Sequence, residues 1–211
     1  MNFKWMRQTV DALAYLHLSD IVHRDLKAKN VLLTAEEDIK LADFGLAREF
    51  IALNRLKTDA LLDDDSWMNS YVQYYMDSEV GTSYWMAPEV FAGHYTEKAD
   101  VFSLGVLFYA ILQRDYITVN RKKFYGAFKR IRGQGKVGLG YAMAYHNPNV
   151  TIAFSERAQV SNTQQRITLE ALQYEKDDRP SAEEIQKVFE EAKEDAAFWV
   201  LEVLNTYCTI S

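Results

Sequence analysis

The stretch His23-Arg24-Asp25-Leu26-Lys27-Ala28-Lys29-Asn30 is followed, thirteen positions after its asparagine, by Asp43-Phe44-Gly45. Upstream, Met6, Val10, Leu13, Ala14 and His17 recur at helical spacing, which predicts an amphipathic helix over about 3–18 that delivers the chain into Ile21-Val22-His23. Downstream, Val31-Leu32-Leu33 and Ile39-Lys40-Leu41-Ala42 are short apolar runs separated by polar residues, which predicts a small β-hairpin. Such a hairpin brings Asn30 and Asp43 to neighbouring strand ends, so oxygen-bearing side chains distant in sequence meet at one edge of a rigid element.

The residue types in this pattern match the needs of phosphoryl transfer: a carboxylate to orient an attacking hydroxyl, a cation to neutralise phosphate charge, and hard oxygen ligands for a metal. Asp25, Lys27, Asn30 and Asp43 supply these groups. The two motifs satisfy the pattern H-R-D-L-x-x-x-N with a later D-F-G. Behind them comes Gly81-Thr82-Ser83-Tyr84-Trp85-Met86-Ala87-Pro88-Glu89. On these residues the chain resembles the C-terminal lobe of a eukaryotic protein kinase of the serine/threonine type. Gly93-His94-Tyr95-Thr96-Glu97-Lys98-Ala99-Asp100 is similar to the CLIK-type subfamily.

The resemblance implies an α+β fold, mainly helical, with the small hairpin. It covers essentially all of residues 1–211, read as a partial kinase domain, and 43–89 is the activation segment. At 47 residues that segment is longer than is usual in the family, and Asp63-Asp64-Asp65-Ser66 marks an acidic insertion. No glycine-rich phosphate loop or strand lysine precedes Phe3, so the expectation is a chain without the N-terminal lobe and with weak ATP binding on its own.

Family roles carry over residue by residue. Asp25 is the catalytic base and Lys27 reaches the γ-phosphate. Asn30 and Asp43 hold Mg2+ with ATP. A hydroxyl at Thr82, like Lys27, goes with serine/threonine specificity. Arg24 is a phosphate receptor for the activation segment, with Ser78 as the phosphosite. His23 and Phe44 are structural, packed on one another. Glu89 and Arg179 form a buried ion pair, and Asp100 anchors the catalytic-loop backbone. Lys29 stands where kinases directed to basic substrates carry an acidic residue, which argues against a preference for arginine-rich sequences.

Composition bounds the rest. The chain has 211 residues, 48% of them hydrophobic, enough for one sizeable core. With 24 basic and 30 acidic residues its net charge is −6, so neither nucleic acid nor an anionic membrane is an expected partner; protein substrates are. Cys208 is the single cysteine, which excludes an internal disulfide and favours a reducing compartment, cytoplasmic or nuclear. The apolar run Val101 to Leu112 is interrupted by Ser103 and Gly105 and is too short for a bilayer span.

Residues 100–114 read as the central helix, and 164–174 as a further one. Ser181 and Glu184 form a capping box for a last helix. Between 116 and 158 the glycines break any long period; a helix near 122–132 followed by loop is the expectation. Two functional classes remain open at this point: an ATP-dependent serine/threonine kinase whose N-lobe lies upstream, or a truncated, non-catalytic module that binds kinase partners or substrates.

Overall fold

The structure is a computed structural model that describes residues 2–49, 82–158 and 160–192. Helix α1 (Asn2–Leu18) leads into β1 (Ile21–Val22), a short 3-10 turn at Ala28–Asn30, and the hairpin β2 (Val31–Leu33) and β3 (Ile39–Leu41). Strand β4 (Arg48–Glu49) pairs antiparallel with β1. After 3-10 turns at Thr82–Trp85 and Pro88–Ala92 come α2 (Glu97–Gln113), strands β5 (Tyr116–Val119), β6 (Lys122–Tyr125), β7 (Phe128–Ile131) and β8 (Gly135–Gly138), then α3 (Leu139–Tyr145) and α4 (Asn162–Ala171). The final helix, α5, runs over 182–192. Among the described residues, no helix is long and apolar enough to cross a membrane.

Helix α2 is the axis of the lobe. Its apolar residues point in every direction, and almost all of its length is buried, as expected of a helix surrounded by other elements. Thr96 caps it by accepting the Lys98 N–H, and Arg114 ends it in the left-handed conformation. Met6, Val10, Leu13 and Ala14 of α1 pack on Val101, Leu104 and Phe108 of α2. The other flank of α2 covers Trp85, Met86, Ala127 and Leu139.

Helix α1 also holds the hairpin that follows the His23–Asn30 loop. Gln8 accepts the Ile39 N–H at 3.1 Å and donates to Asp38 at 2.7 Å. Trp5 Nε1 donates to the Glu37 carbonyl at 3.1 Å. The element entering the loop therefore grips the far tip of the element leaving it.

Residues 122–132 are not helical, contrary to the expectation from the sequence. They belong to two antiparallel hairpins, β5–β6 and β7–β8. The turn between β5 and β6 has Asn120 and Arg121 both at positive φ, 48° and 66°, the signature of a type I′ turn whose twist suits a two-residue hairpin. In β5 the partly buried Ile117 and Val119 alternate with exposed Tyr116 and Thr118, the period of a strand, and Phe124 stands opposite Ile117 across the pair. Helix α4 begins and ends two to three residues earlier than predicted, because Ser161 and Gln164 form a capping box at its start. The predicted box at α5 is present: Ser181 N–H donates to Glu184 at 2.7 Å and Glu184 N–H to Ser181 Oγ at 3.1 Å.

Candidate active site

The His23–Asn30 loop is suspended from α2 by one carboxylate. Asp100 is fully buried, and each of its oxygens accepts two hydrogen bonds. Oδ2 takes the His23 N–H at 2.7 Å and His17 Nε2 at 3.1 Å. Oδ1 takes the Arg24 N–H at 2.9 Å and the Tyr95 hydroxyl at 2.6 Å. Burial by itself raises this carboxyl, but the His17 hydrogen bond and charge, the Tyr95 hydroxyl and the Arg24 N–H outweigh it and hold the group below its ordinary value. His17 and Tyr95 were not singled out by sequence reasoning as site residues, although His17 lies on the apolar stripe of α1.

Arg24 is held at φ 69°, a left-handed conformation that costs a non-glycine residue about 1–2 kcal/mol. Its guanidinium is buried and lies 5.4 Å from the centre of the Tyr95 ring. This bend turns Asp25 toward Asn30. The Asn30 amide nitrogen donates to the Asp25 carbonyl at 2.8 Å and to Asp25 Oδ2 at 2.9 Å. Lys27 Nζ reaches the same Oδ2 at 2.9 Å. Both donors converge on one oxygen, and among the described residues Oδ1 of Asp25 carries no hydrogen bond.

Both amide hydrogens of Asn30 are consumed by Asp25, which leaves its carbonyl oxygen as a donor atom for a cation. The Ala42 N–H donates to the Asn30 backbone carbonyl at 2.9 Å, so the hairpin returns the chain to Asn30 one residue before Asp43. Asp43 is itself at φ 63° and its carboxylate is exposed. Arg24 and Asp43 are thus two non-glycine residues with left-handed backbone on either side of Asn30, the kind of local strain that clusters at functional sites.

His23 is buried and its ring bridges the two motifs. Nδ1 accepts the Asp25 N–H at 3.3 Å, and Nε2 donates to the Ala42 carbonyl at 3.1 Å. The Phe44 ring stands 5.1 Å from it, tilted by 47°, while remaining 47% exposed.

The segment closing this region is fixed to α2 as well. Ser103 Oγ donates to the Trp85 carbonyl at 2.8 Å, one helical turn beyond Asp100. Farther along, Glu89 meets Arg179 in a bidentate pair, at 2.6 Å and 2.8 Å. The remaining guanidinium hydrogens go to the carbonyls of Gln173 at 2.8 Å, Lys98 at 3.0 Å and Tyr174 at 2.9 Å. All five donors of this buried group are therefore satisfied, with its carbon 5.0 Å from the Phe102 ring centre. Ser78, the acidic run at 63–66 and the side chain of Thr82 lie outside the described residues.

A family model for the protein kinase domain matches residues 2–189. The chain belongs to the protein kinase family. Among the relatives of this kinase domain are serine/threonine-protein kinase 10-A of Xenopus laevis, 43% identical over 106 residues or 47% of the chain, and serine/threonine-protein kinase dst2 of Dictyostelium discoideum, 41% identical over 105 residues or 47%. The human eIF-2-alpha kinase GCN2 is 32% identical over 127 residues, 58% of the chain. The matched stretch of this chain spans only 9%, 7% and 8% of the length of those three proteins.

Proposed function

We propose that this chain is the catalytic-loop lobe of an ATP-dependent kinase that phosphorylates serine or threonine hydroxyls of proteins. The observation that carries the reading is the convergence of Lys27 and the Asn30 amide on a single oxygen of Asp25. It holds the carboxylate in one orientation and leaves its other oxygen to accept a hydroxyl proton. Serine/threonine specificity is supported by Lys27 and by the similarity to relatives named as serine/threonine kinases. The CLIK-type assignment rests on residues 93–100 alone.

The donor set suits magnesium. One amide oxygen and one exposed carboxylate, with no cluster of three or more acidic, histidine or cysteine ligands among the described residues, is what Mg2+ accepts when nucleotide phosphates and water complete its shell. When bound, Mg2+ and ATP supply the γ-phosphoryl group and neutralise charge on it. Asn30 and Asp43 would hold the metal, Lys27 would offset charge near Asp25, and Asp25 would orient the acceptor. Leu32, 51% exposed on β2 two residues after Asn30, fits the apolar floor of a nucleotide site roofed by a lobe from outside these residues. Arg24 and Ser78 are assigned to regulation, with a phosphate on Ser78 ordering the segment beside the loop.

Transfer of radiolabelled γ-phosphate to a serine peptide, measured on the full-length protein, tests the reading. Asp25→Asn is expected to reduce the rate by about 10²–10⁴-fold with little change in fold. Equal rates for wild type and Asp25→Asn, or a product labelled on tyrosine, would overturn it.

A further inference from the structure

The net charge of −6 conceals a strong local imbalance. Residues 114–138 contain eight lysines and arginines against one acidic residue, Asp115. The fold collects this excess of seven positive charges on the two successive hairpins β5–β6 and β7–β8. In β5–β6 the register sets Tyr116 opposite Tyr125 and Thr118 opposite Lys123, all four exposed on one face. In β7–β8, Arg130 stands opposite Lys136.

Few of these cations are matched. Lys136 pairs with Asp115 at 2.5 Å, and Lys129 donates to the Thr151 carbonyl at 2.6 Å. Arg114, Arg121, Lys122, Arg130 and Arg132 are exposed and have no ion-pair partner among the described residues. Like charges held side by side on a sheet repel, and 29 of the chain's 30 acidic residues lie outside this stretch. The surface is complementary to something acidic that is not part of it.

Its location says what that is. Phe124 and Phe128 enclose the Tyr84 ring, at centroid distances of 6.3 Å and 5.4 Å. Tyr84 belongs to the turn whose Trp85 carbonyl is held by Ser103, one helical turn from the Asp100 that carries the catalytic loop. The basic hairpins thus connect to the His23–Asn30 loop through Tyr84, the Trp85–Ser103 bond and Asp100.

The aromatic rings do not form an open stacking platform for a single-stranded nucleic acid. Tyr116 and Tyr125 lie against each other at 5.6 Å, and Lys123 Nζ sits 4.4 Å from the centre of the Tyr116 ring. No exposed aliphatic side chain accompanies them for insertion into lipid.

We infer that the double hairpin is a docking surface for acidic segments of the protein substrate, an inference that rests on the phosphotransfer reading for the identity of the occupant. The surface recognises runs of aspartate, glutamate or phosphorylated residues and delivers the neighbouring hydroxyl to the catalytic loop.

The test is fluorescence anisotropy on the full-length protein with a labelled peptide of alternating glutamate and aspartate around one serine. Combined Arg121→Glu, Lys122→Glu and Arg130→Glu reversal is expected to weaken binding about tenfold or more and to remove most of its salt dependence. These side chains are exposed, so an unchanged thermal transition verifies folding. Asp25→Asn should bind the peptide as wild type does, which separates docking from catalysis. In phosphorylation assays the triple variant should show a raised KM on the acidic peptide and an unaltered kcat, with a serine peptide lacking acidic residues unaffected. Unchanged affinity of the triple variant overturns the proposal, as does binding of a poly-uridine strand or phosphatidylserine vesicles by the wild type in preference to the acidic peptide.

Discussion

Asp100 and Arg24 are joined through the backbone, the carboxylate accepting the arginine N–H at 2.9 Å while Arg24 is held at φ 69°. The strained conformation next to Asp25 persists because a buried charge on α2 rewards it. Removing one supporting bond is therefore expected to be felt at the loop: Tyr95→Phe deletes a 2.6 Å bond to the same oxygen and should cost about 1.5–3 kcal/mol in urea unfolding. Catalytic rate should fall with it, whereas an inert packing role for the hydroxyl predicts neither change.

The same carboxylate sets an acid limit. Its folded value lies below the ordinary aspartate value of 3.8, so the stability it contributes is complete above pH 3.8 and fades as pH falls through the folded value. Unfolding free energy measured from neutral pH downward should show this loss below 3.8 in wild type. Asp100→Asn, weaker throughout, should show a shallower acid limb.

Arg179 has no spare donor, which makes it hard to replace. Glu89→Ala strands a buried guanidinium and should destabilise the lobe by on the order of 3–5 kcal/mol. Arg179→Lys retains the charge but brings three donors to a site built for five, so it should recover only part of that stability. Chemical denaturation of the single variants ranks them; a lysine variant as stable as wild type contradicts the geometry.

Gly140 is required for close approach. A Cβ there would stand 2.0 Å from the Met86 carbonyl oxygen, a backbone atom that cannot rotate away. Gly140→Ala should cost at least the upper part of the usual 1–3 kcal/mol for overpacking and should slow catalysis by displacing residues 86–87. Arg121→Gly should act in the opposite direction, raising the thermal midpoint, because glycine adopts φ 66° without strain.

The parts of this fold that were legible in the sequence are those determined by local rules. The stripe from Met6 to Ala14 marks α1, the apolar runs around Thr34 to Asp38 mark the first hairpin, and Ser181 with Glu184 marks a helix start. The hairpins over 116–138 were missed because their apolar positions are interleaved with lysine and arginine. Their first turn, moreover, is made by Asn120 and Arg121 with no glycine to announce it. Their cores are completed by Tyr84, a contact forty residues away in sequence that no local pattern encodes. At the site, motif spacing identified Asp25, Asn30 and Asp43 as residues to examine. It held no information on which oxygen of Asp25 is occupied, nor on the His17 and Tyr95 bonds to Asp100, since those depend on how α1 and α2 pack.

The stretch between residues 49 and 82 is bracketed by fixed points: Arg48 and Glu49 pair with β1 on one side, and on the other the Trp85 carbonyl is tethered to Ser103. A tether at each end isolates what lies between from what lies beyond. Asp43, beside the Ala42–Asn30 bond, and Glu89, paired with Arg179, are thus each held by contacts that do not pass through residues 50–81. Changes of length between them over evolution therefore have no anchor of either residue to break.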